Sequence, residues 1–527
     1  MAVFAPAILN RPLLQRRSRF FCVLLIVLVL SARWSSAAAS APESQPLPAH
    51  WAARNALFDW DLSDFNQHMA QLGRLHPTHP LNLWLESYRM FLELQMPWLQ
   101  REPEIIAAYH DALLNQLHKE APRHALDYLV RADIALHLAR AHAARSAWWS
   151  TAQALRQSLQ LLETGQERFP ACSGLRKSQY PIRLFLGLAP ERFHWIMDLL
   201  GLSPAAGYDQ DLALGTHQAL DTSWQGFFSL EYAWSMAFTQ HFTGGSKSAI
   251  LFWMNKATAQ QAHLTLSQYG RFFLALETRR SYMLKYPSTH EDSAEAANPF
   301  PGLQRVRGRW HLYQGRYQRA LKALITYQKL SQAPLDCSCL QWMYWAAQLV
   351  DPVGRSSNPW EALLLRTCQE EGSSQSRQII VEHETFGNVP DPLLQARLAL
   401  DAGYAQQARD QLWRGHAYWR SGAHPAHAFL GHYQMARAHQ LLGHTDSAHI
   451  YYDTSINLGR KIDAQGYRLP AAYLYRGVVL MERGQREAAR RSWRAMLRYE
   501  DYPFIDGLTR KALRQLEASE QSRQEGL

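Results

Sequence analysis

Few residues of this chain stand at spacings that could do chemistry. Glu382-His383-Glu384 sets an imidazole between two carboxylates, a group that could move a proton or hold a cation. On an expected loop, with no companion motif, it reads as polar surface. Asp198, Asp209, Asp211 and Glu231 offer carboxylates that a polysaccharide-cleaving enzyme would have to pair across a cleft, but no motif orders them. Gly244-Gly245-Ser246-Lys247-Ser248 carries the lysine and hydroxyl of a phosphate-binding loop without its first glycine or a preceding strand. His76/His79 and His424/His427 are three apart beside proline-marked turns, which grants adventitious metal binding at most. His-Glu-x-x-His and Gly-x-Ser-x-Gly do not occur. No catalytic, cofactor-binding or metal-binding residue is assigned, and no cofactor is expected.

Cysteine chemistry is sparse too. Beyond the N-terminal segment stand Cys172, Cys337, Cys339 and Cys368, too few for a disulfide framework. Cys337 and Cys339 are too close to bond each other. Either could bridge Cys368 across a loop; the alternative is buried thiols.

The elements that must position these residues begin after a leader. Arg11 to Arg19 supply positive charge, residues 20–30 (FFCVLLIVLVL) are apolar, and residues 35–41 (SSAAASA) are small. This order matches a secretory signal peptide. The apolar run has eleven residues, short of the ~20 that span a bilayer as a helix. Cleavage is expected after Ala37 or Ala39; an uncleaved anchor giving membrane association is the alternative. Cys22 lacks the lead-in of a lipoprotein signal. The formal charge of +10 falls to about +5 without Arg11, Arg16, Arg17, Arg19 and Arg33. With no basic stripe, nucleic acid is not an expected partner. A hydrophobic content of 47% in 527 residues permits a large core and excludes wholesale disorder.

From Trp51 the pattern is helical. Residues 51–60 and 64–75 read as an antiparallel pair with Ser63 or Asp64 as N-cap. A helix starts near Leu81, and residues 121–169 read as two helices broken at 144–146. Residues 190–201 read as a short helix and 269–286 as another. The aromatic stretch 224–242 suggests a glycan or membrane platform, but aromatics at helical spacing are more often core. Residues 287–301, acidic and bracketed by prolines, form the best linker. Residues 350–358 and 370–377 read as further breaks, with 378–381 as a short β-like piece. Pro390, Pro425 and Pro470 fall shortly before first helices.

One spacing recurs four times in the C-terminal half. A small residue is followed at +7 by Gly and at +12 by Ala: Gly308/Gly315/Ala320, Ala396/Gly403/Ala408, Ala436/Gly443/Ala448 and Gly477/Gly484/Ala489. Small residues around a central glycine let two antiparallel helices approach across a tight turn. Leu324, Leu412, Tyr452 and Trp493 follow each Ala by four. These units resemble tetratricopeptide repeats, with Gly315-Arg316-Tyr317-Gln318-Arg319-Ala320 the best match. The 40- and 41-residue separations of the last three turn glycines exceed the family's 34, and most units lack its closing proline.

The expected fold is all-α, an α-solenoid of stacked antiparallel helix pairs. The expected layout is leader 1–41, divergent helical domain 42–286, linker 287–301 and repeat array 302–520. The resemblance implies a groove lined by first helices that binds a protein segment. Arg305, Arg309, Arg397, Tyr433, Arg437, Tyr473 and Arg476 are its candidate exposed lining residues. The expected function is an exported, non-enzymatic scaffold for a protein partner in the cell envelope, periplasmic if the source is bacterial. A glycan- or lipid-binding repeat protein and an α/α polysaccharide-active enzyme are the alternatives.

Overall fold

The computed structural model describes residues 46–170, 247–279 and 300–499 apart from short gaps, with scattered positions in 172–182, 227–241 and 508–519. The expected leader, the helix at 190–201, the carboxylates at 198–231 and most of the linker lie outside the described residues. Among those described there is no strand, and no helix is long and apolar enough to cross a membrane. The chain is an all-α helical-repeat protein whose helices pack in sequence-adjacent pairs. It divides into two compact units, one built mainly from residues before 275 and one mainly from residues after 303.

In the first unit, α1 (Pro48–Asp59) and α2 (Leu62–Leu75) form the expected hairpin. Trp60 turns the chain at φ 60°, and its indole is buried. The N-cap of α2 is Asp61, not Ser63 or Asp64; its carboxylate accepts from the Asp64 amide at 3.0 Å. The tight turn places the capping carboxylate one residue before the helix, where the first free N–H groups point. His79 caps α3 (Pro80–Gln95) by accepting from the Leu81 amide, which gives that histidine a structural task. After α4 (Pro103–His118) comes α5 (Ala125–Ala144), buried on nearly every side from Leu126 to Ala143. A helix covered all round is the centre of its unit, and α5 packs on α3, α4 and α6 (Trp148–Arg168). Two of its polar side chains reach neighbouring segments: Asp133 accepts from the Trp84 indole at 2.9 Å, and Arg131 donates to the Glu120 carbonyl at 2.7 Å. Next are α7 (Lys247–Gln261) and α8 (Thr265–Glu277). The described aromatics of the 224–242 stretch, Phe227, Trp234 and Phe238, are core.

In the second unit the recurrent spacing becomes four helix hairpins. They are α9 (Pro301–Tyr313) with α10 (Tyr317–Leu330), α14 (Asp391–Ala402) with α15 (Ala405–Arg414), α17 (Pro425–Leu441) with α18 (Thr445–Lys461), and α19 (Arg468–Glu482) with α20 (Arg486–Met496). Gly315, Gly403, Gly443 and Gly484 turn the four hairpins at φ between 73° and 90°, where a Cβ is strained. Ala320, Ala408, Ala448 and Ala489 are fully buried, as are Leu324, Leu412, Tyr452 and Trp493 one turn on. A methyl added at Gly308 would lie 2.6 Å from Leu324, and one at Gly477 would lie 2.2 Å from the Trp493 indole nitrogen. The small first-helix residue is thus the seat of the large second-helix residue.

Between the first two hairpins stand α11 (Cys337–Val350), α12 (Pro359–Glu371) and α13 (Ser374–Phe386), and α16 (His416–Arg420) is a short turn before α17. Residues 378–384 are helical in α13, which corrects both the β-like and the loop expectation. An Ile-Ile-Val run is too short to separate strand from helix by period. Here Ser373 accepts from the Ser376 amide at 3.0 Å and starts a helix, and Gly372 at φ 55° shrinks the expected break to two residues. Pro470 sits in the first turn of α19, where its missing N–H costs no bond. Cys337, rather than Cys339, bridges Cys368 and ties α11 to α12. Cys172 and Cys339 are buried thiols, and burial pushes the Cys339 thiol up to about 12.

Candidate ligand pocket on the first helices

All seven expected groove residues stand on first helices: Arg305 and Arg309 on α9, Arg397 on α14, Tyr433 and Arg437 on α17, Tyr473 and Arg476 on α19. Their expected exposure is wrong. Tyr433 and Tyr473 are buried, and the five arginines are half-covered. Each tyrosine lies on the face that its helix turns to the core. The arginine stems are covered because their heads are anchored on aromatic rings or neighbouring carboxylates. Arg305 and Arg309 both lie over Trp342, at 5.5 and 5.2 Å, and pair with Asp336 and Glu277 respectively. Arg476 pairs with Asp453 at 2.7 Å and covers Tyr473. These four residues form two local clusters away from the central cavity.

Arg397, Tyr433 and Arg437 come together. With Gln434, Tyr467, Arg468 and Tyr475 they line a cavity between the first helices of three successive hairpins, α14, α17 and α19. Two of its lining arginines, Arg397 and Arg468, form an ion triad with Glu382 of α13. The buried Glu382 carboxylate accepts from Arg397 at 2.7 Å and pairs with Arg468 at 3.1 Å. Burial alone would push the Glu382 carboxyl up, but Arg397 and then Arg468 outweigh it and hold it below the usual range. Arg397 stacks over Trp345 at 4.4 Å and Arg468 over Tyr467 at 5.3 Å, so the triad is rigidly placed.

Beside the triad the cavity is lined by Arg437 and Arg279, with Asp401 as its lining carboxylate. Arg437 lies 3.8 Å over the Tyr475 ring and donates to Gln440, and the exposed Lys511 approaches the same ring at 5.0 Å. Burial would push the Tyr475 phenol up, yet Arg437, Lys511 and Arg279 together hold it below its ordinary value. Asp401 is the carboxylate that partly offsets this field, lining the cavity with Arg279. Arg437, Arg279 and Lys511 make no ion pair within 4 Å among the described residues. Gln434 stands between this cavity and a second one lined by Trp345 and Glu382. It is 1% exposed, and neither its amide oxygen nor its nitrogen has a hydrogen-bond partner among the described residues.

Sequence reasoning found three of these residues and missed Gln434, Tyr467, Arg468 and Tyr475, and with them the pairing of Arg397 with Glu382. Glu382 was in view, but as a loop residue. Nothing in the sequence marked Gln434, because a residue two positions before Ala436 lies on the other side of the helix.

Elsewhere several buried polar groups have structural roles. In the first unit the Ser87 hydroxyl sits between His110 Nδ1 at 3.1 Å and His137 Nδ1 at 2.5 Å, with all three residues buried. Burial lowers His110 to about 3, and burial with His79 lowers His50 to about 4, so both are neutral core groups at pH 7. His427 bonds the Phe386 carbonyl at 2.8 Å. Among the described residues no cluster of three His, Cys, Asp or Glu side chains could hold a metal ion. No protein-family model and no curated protein matches the chain.

Proposed function

We propose that this protein is a divergent tetratricopeptide-like scaffold, exported through its N-terminal segment, that holds a protein partner against the first helices of its second unit. The observation that carries the reading is the cavity at α14, α17 and α19, where three successive first helices contribute cations, tyrosines and a buried amide to one space. Folding alone gives no reason to collect more cations than carboxylates there; a partner that brings negative charge does. The Cys337–Cys368 bridge supports an oxidising compartment. Most of the polar groups described above are engaged in caps, ion pairs and ring stacks, which favours a binding role over catalysis.

The test is affinity capture by the full chain, comparing Leu441→Glu with Ile450→Glu. Leu441 lines the cavity and is 48% exposed, whereas Ile450 is 63% exposed on the second helix α18. A partner lost only with Leu441→Glu supports the reading. A partner retained by Leu441→Glu and lost with Ile450→Glu would move the site to another face.

A further inference from the structure

From the cavity geometry we infer that Gln434, Arg437 and Lys511 form a subsite for an extended, acidic peptide segment, in which Gln434 pairs with one residue's backbone and the two cations take a carboxylate side chain. The inference rests on the scaffold reading and deepens it by naming the ligand chemistry.

Two independent observations carry it. The first is the Gln434 amide, 1% exposed, with neither polar atom partnered among the described residues and both cavities adjoining it. Leaving such a group unmade is costly in a fold. Its chemistry is one acceptor beside one donor pair. In an extended chain a residue's own N–H and C=O point to the same side, and antiparallel strands pair by exchanging both bonds. A primary amide copies that edge, so it matches extended backbone at one residue. It does not match a phosphate or a sugar ring with the same economy. The second observation is charge. Arg437 and Lys511 converge on the Tyr475 ring at 3.8 and 5.0 Å without an ion pair among the described residues, and Arg437 lies one turn from Gln434 on α17. A segment held by Gln434 therefore brings its neighbouring side chain toward those cations. Arg397 and Arg468 do not compete for it, because Glu382 already holds both.

The experiment is a fluorescence-anisotropy titration of the full chain with a labelled Ser/Glu peptide blocked at both ends. The Gln-for-Glu peptide serves as control. The expected result is saturable binding that weakens with salt, with the Gln-for-Glu peptide at least about tenfold weaker. Gln434→Leu is expected to lose roughly tenfold in affinity, the value of two neutral hydrogen bonds. The same variant should melt higher than the parent, because an unpaired buried amide is replaced by an apolar group of similar size. Lys511→Glu, at an exposed position, should weaken binding and flatten the salt dependence. Equal binding of the two peptides, or a Gln434→Leu variant that binds like the parent, overturns the subsite. Displacement of the peptide by anionic phosphatidylglycerol vesicles overturns the choice of ligand. No peptide binding while Leu441→Glu still abolishes partner capture removes this subsite and leaves the scaffold standing; loss of both results removes both.

Discussion

Gly477→Ala should destabilise the second unit, although alanine is the better helix former. Gly477 lies inside α19, and an added Cβ would stand 2.2, 2.5 and 2.8 Å from Nε1, Cδ1 and Cε2 of Trp493. The indole is fully buried, and its Nε1–H donates to the Leu474 carbonyl at 3.1 Å. It cannot retreat without losing that bond. Overpacking costs about 1–3 kcal/mol, and the strained hydrogen bond adds about 1 kcal/mol. Helix propensity returns about 1 kcal/mol, which leaves a net loss of about 1–3 kcal/mol. Gly73→Ala in α2 is the control, since a methyl there meets nothing within 4 Å. That variant should gain about 0.5–1 kcal/mol. Urea unfolding read by tryptophan fluorescence gives both shifts, the first in the transition of the C-terminal unit. A cycle with Trp493→Leu should show favourable coupling of about 1 kcal/mol or more, because the smaller side chain admits the methyl. A Gly477→Ala variant as stable as the parent, or strictly additive with Trp493→Leu, would refute the account of the repeat spacing.

Three further outcomes are expected. The first unit should weaken in mild acid: His110 is buried neutral with its folded value near 3, so stability is full above about pH 6.5 and falls as the unfolded chain gains that proton. The slope approaches 1.4 kcal/mol per pH unit per histidine, and denaturant midpoints at pH 7 and pH 5 should show it, with His110→Gln flattening the difference. Glu382→Gln should cost about 3–5 kcal/mol in thermal or urea unfolding, because the buried Arg468 loses its charge partner. The Glu382 contribution is present above its unfolded value and is lost as pH falls through its lower folded value. Reducing Cys337–Cys368, which closes a separation of 31 residues, should lower the stability of the second unit by about 2–4 kcal/mol. Thiol labelling of the unfolded, unreduced chain should leave those two cysteines unmodified.

The fold was legible where backbone geometry demands particular residues. Gly403 needs both a positive φ and room for the Arg279 carbonyl, 2.1 Å from where a Cβ would stand, and the positive φ recurs at the same place in each hairpin, at Gly315, Gly443 and Gly484. The same holds for Ala408 and Leu412, which only close packing can explain. Segments without that constraint were not legible. Residues 378–381 form one turn of α13, whose helical state comes from the Ser373 cap and from burial of Ile379 and Glu382. The pocket was half legible, because first-helix arginines can be found by register. Exposure could not be found that way: it depends on rings such as Trp345 and Tyr475, contributed by other hairpins. Gln434 carries no periodic signal, and its meaning rests on missing partners that only three dimensions reveal.

The most direct measurement of the central claim is site-specific photocrosslinking in the producing cells. A photoreactive amino acid would replace Leu441 beside the cavity, Ile450 on the second helix α18, or Ile105 in the first unit, all exposed in the fold. The account predicts one discrete crosslinked protein from position 441, lost when Lys511→Glu is added, and none from 450 or 105. A partner captured from 450 or 105, with position 441 silent, would contradict it.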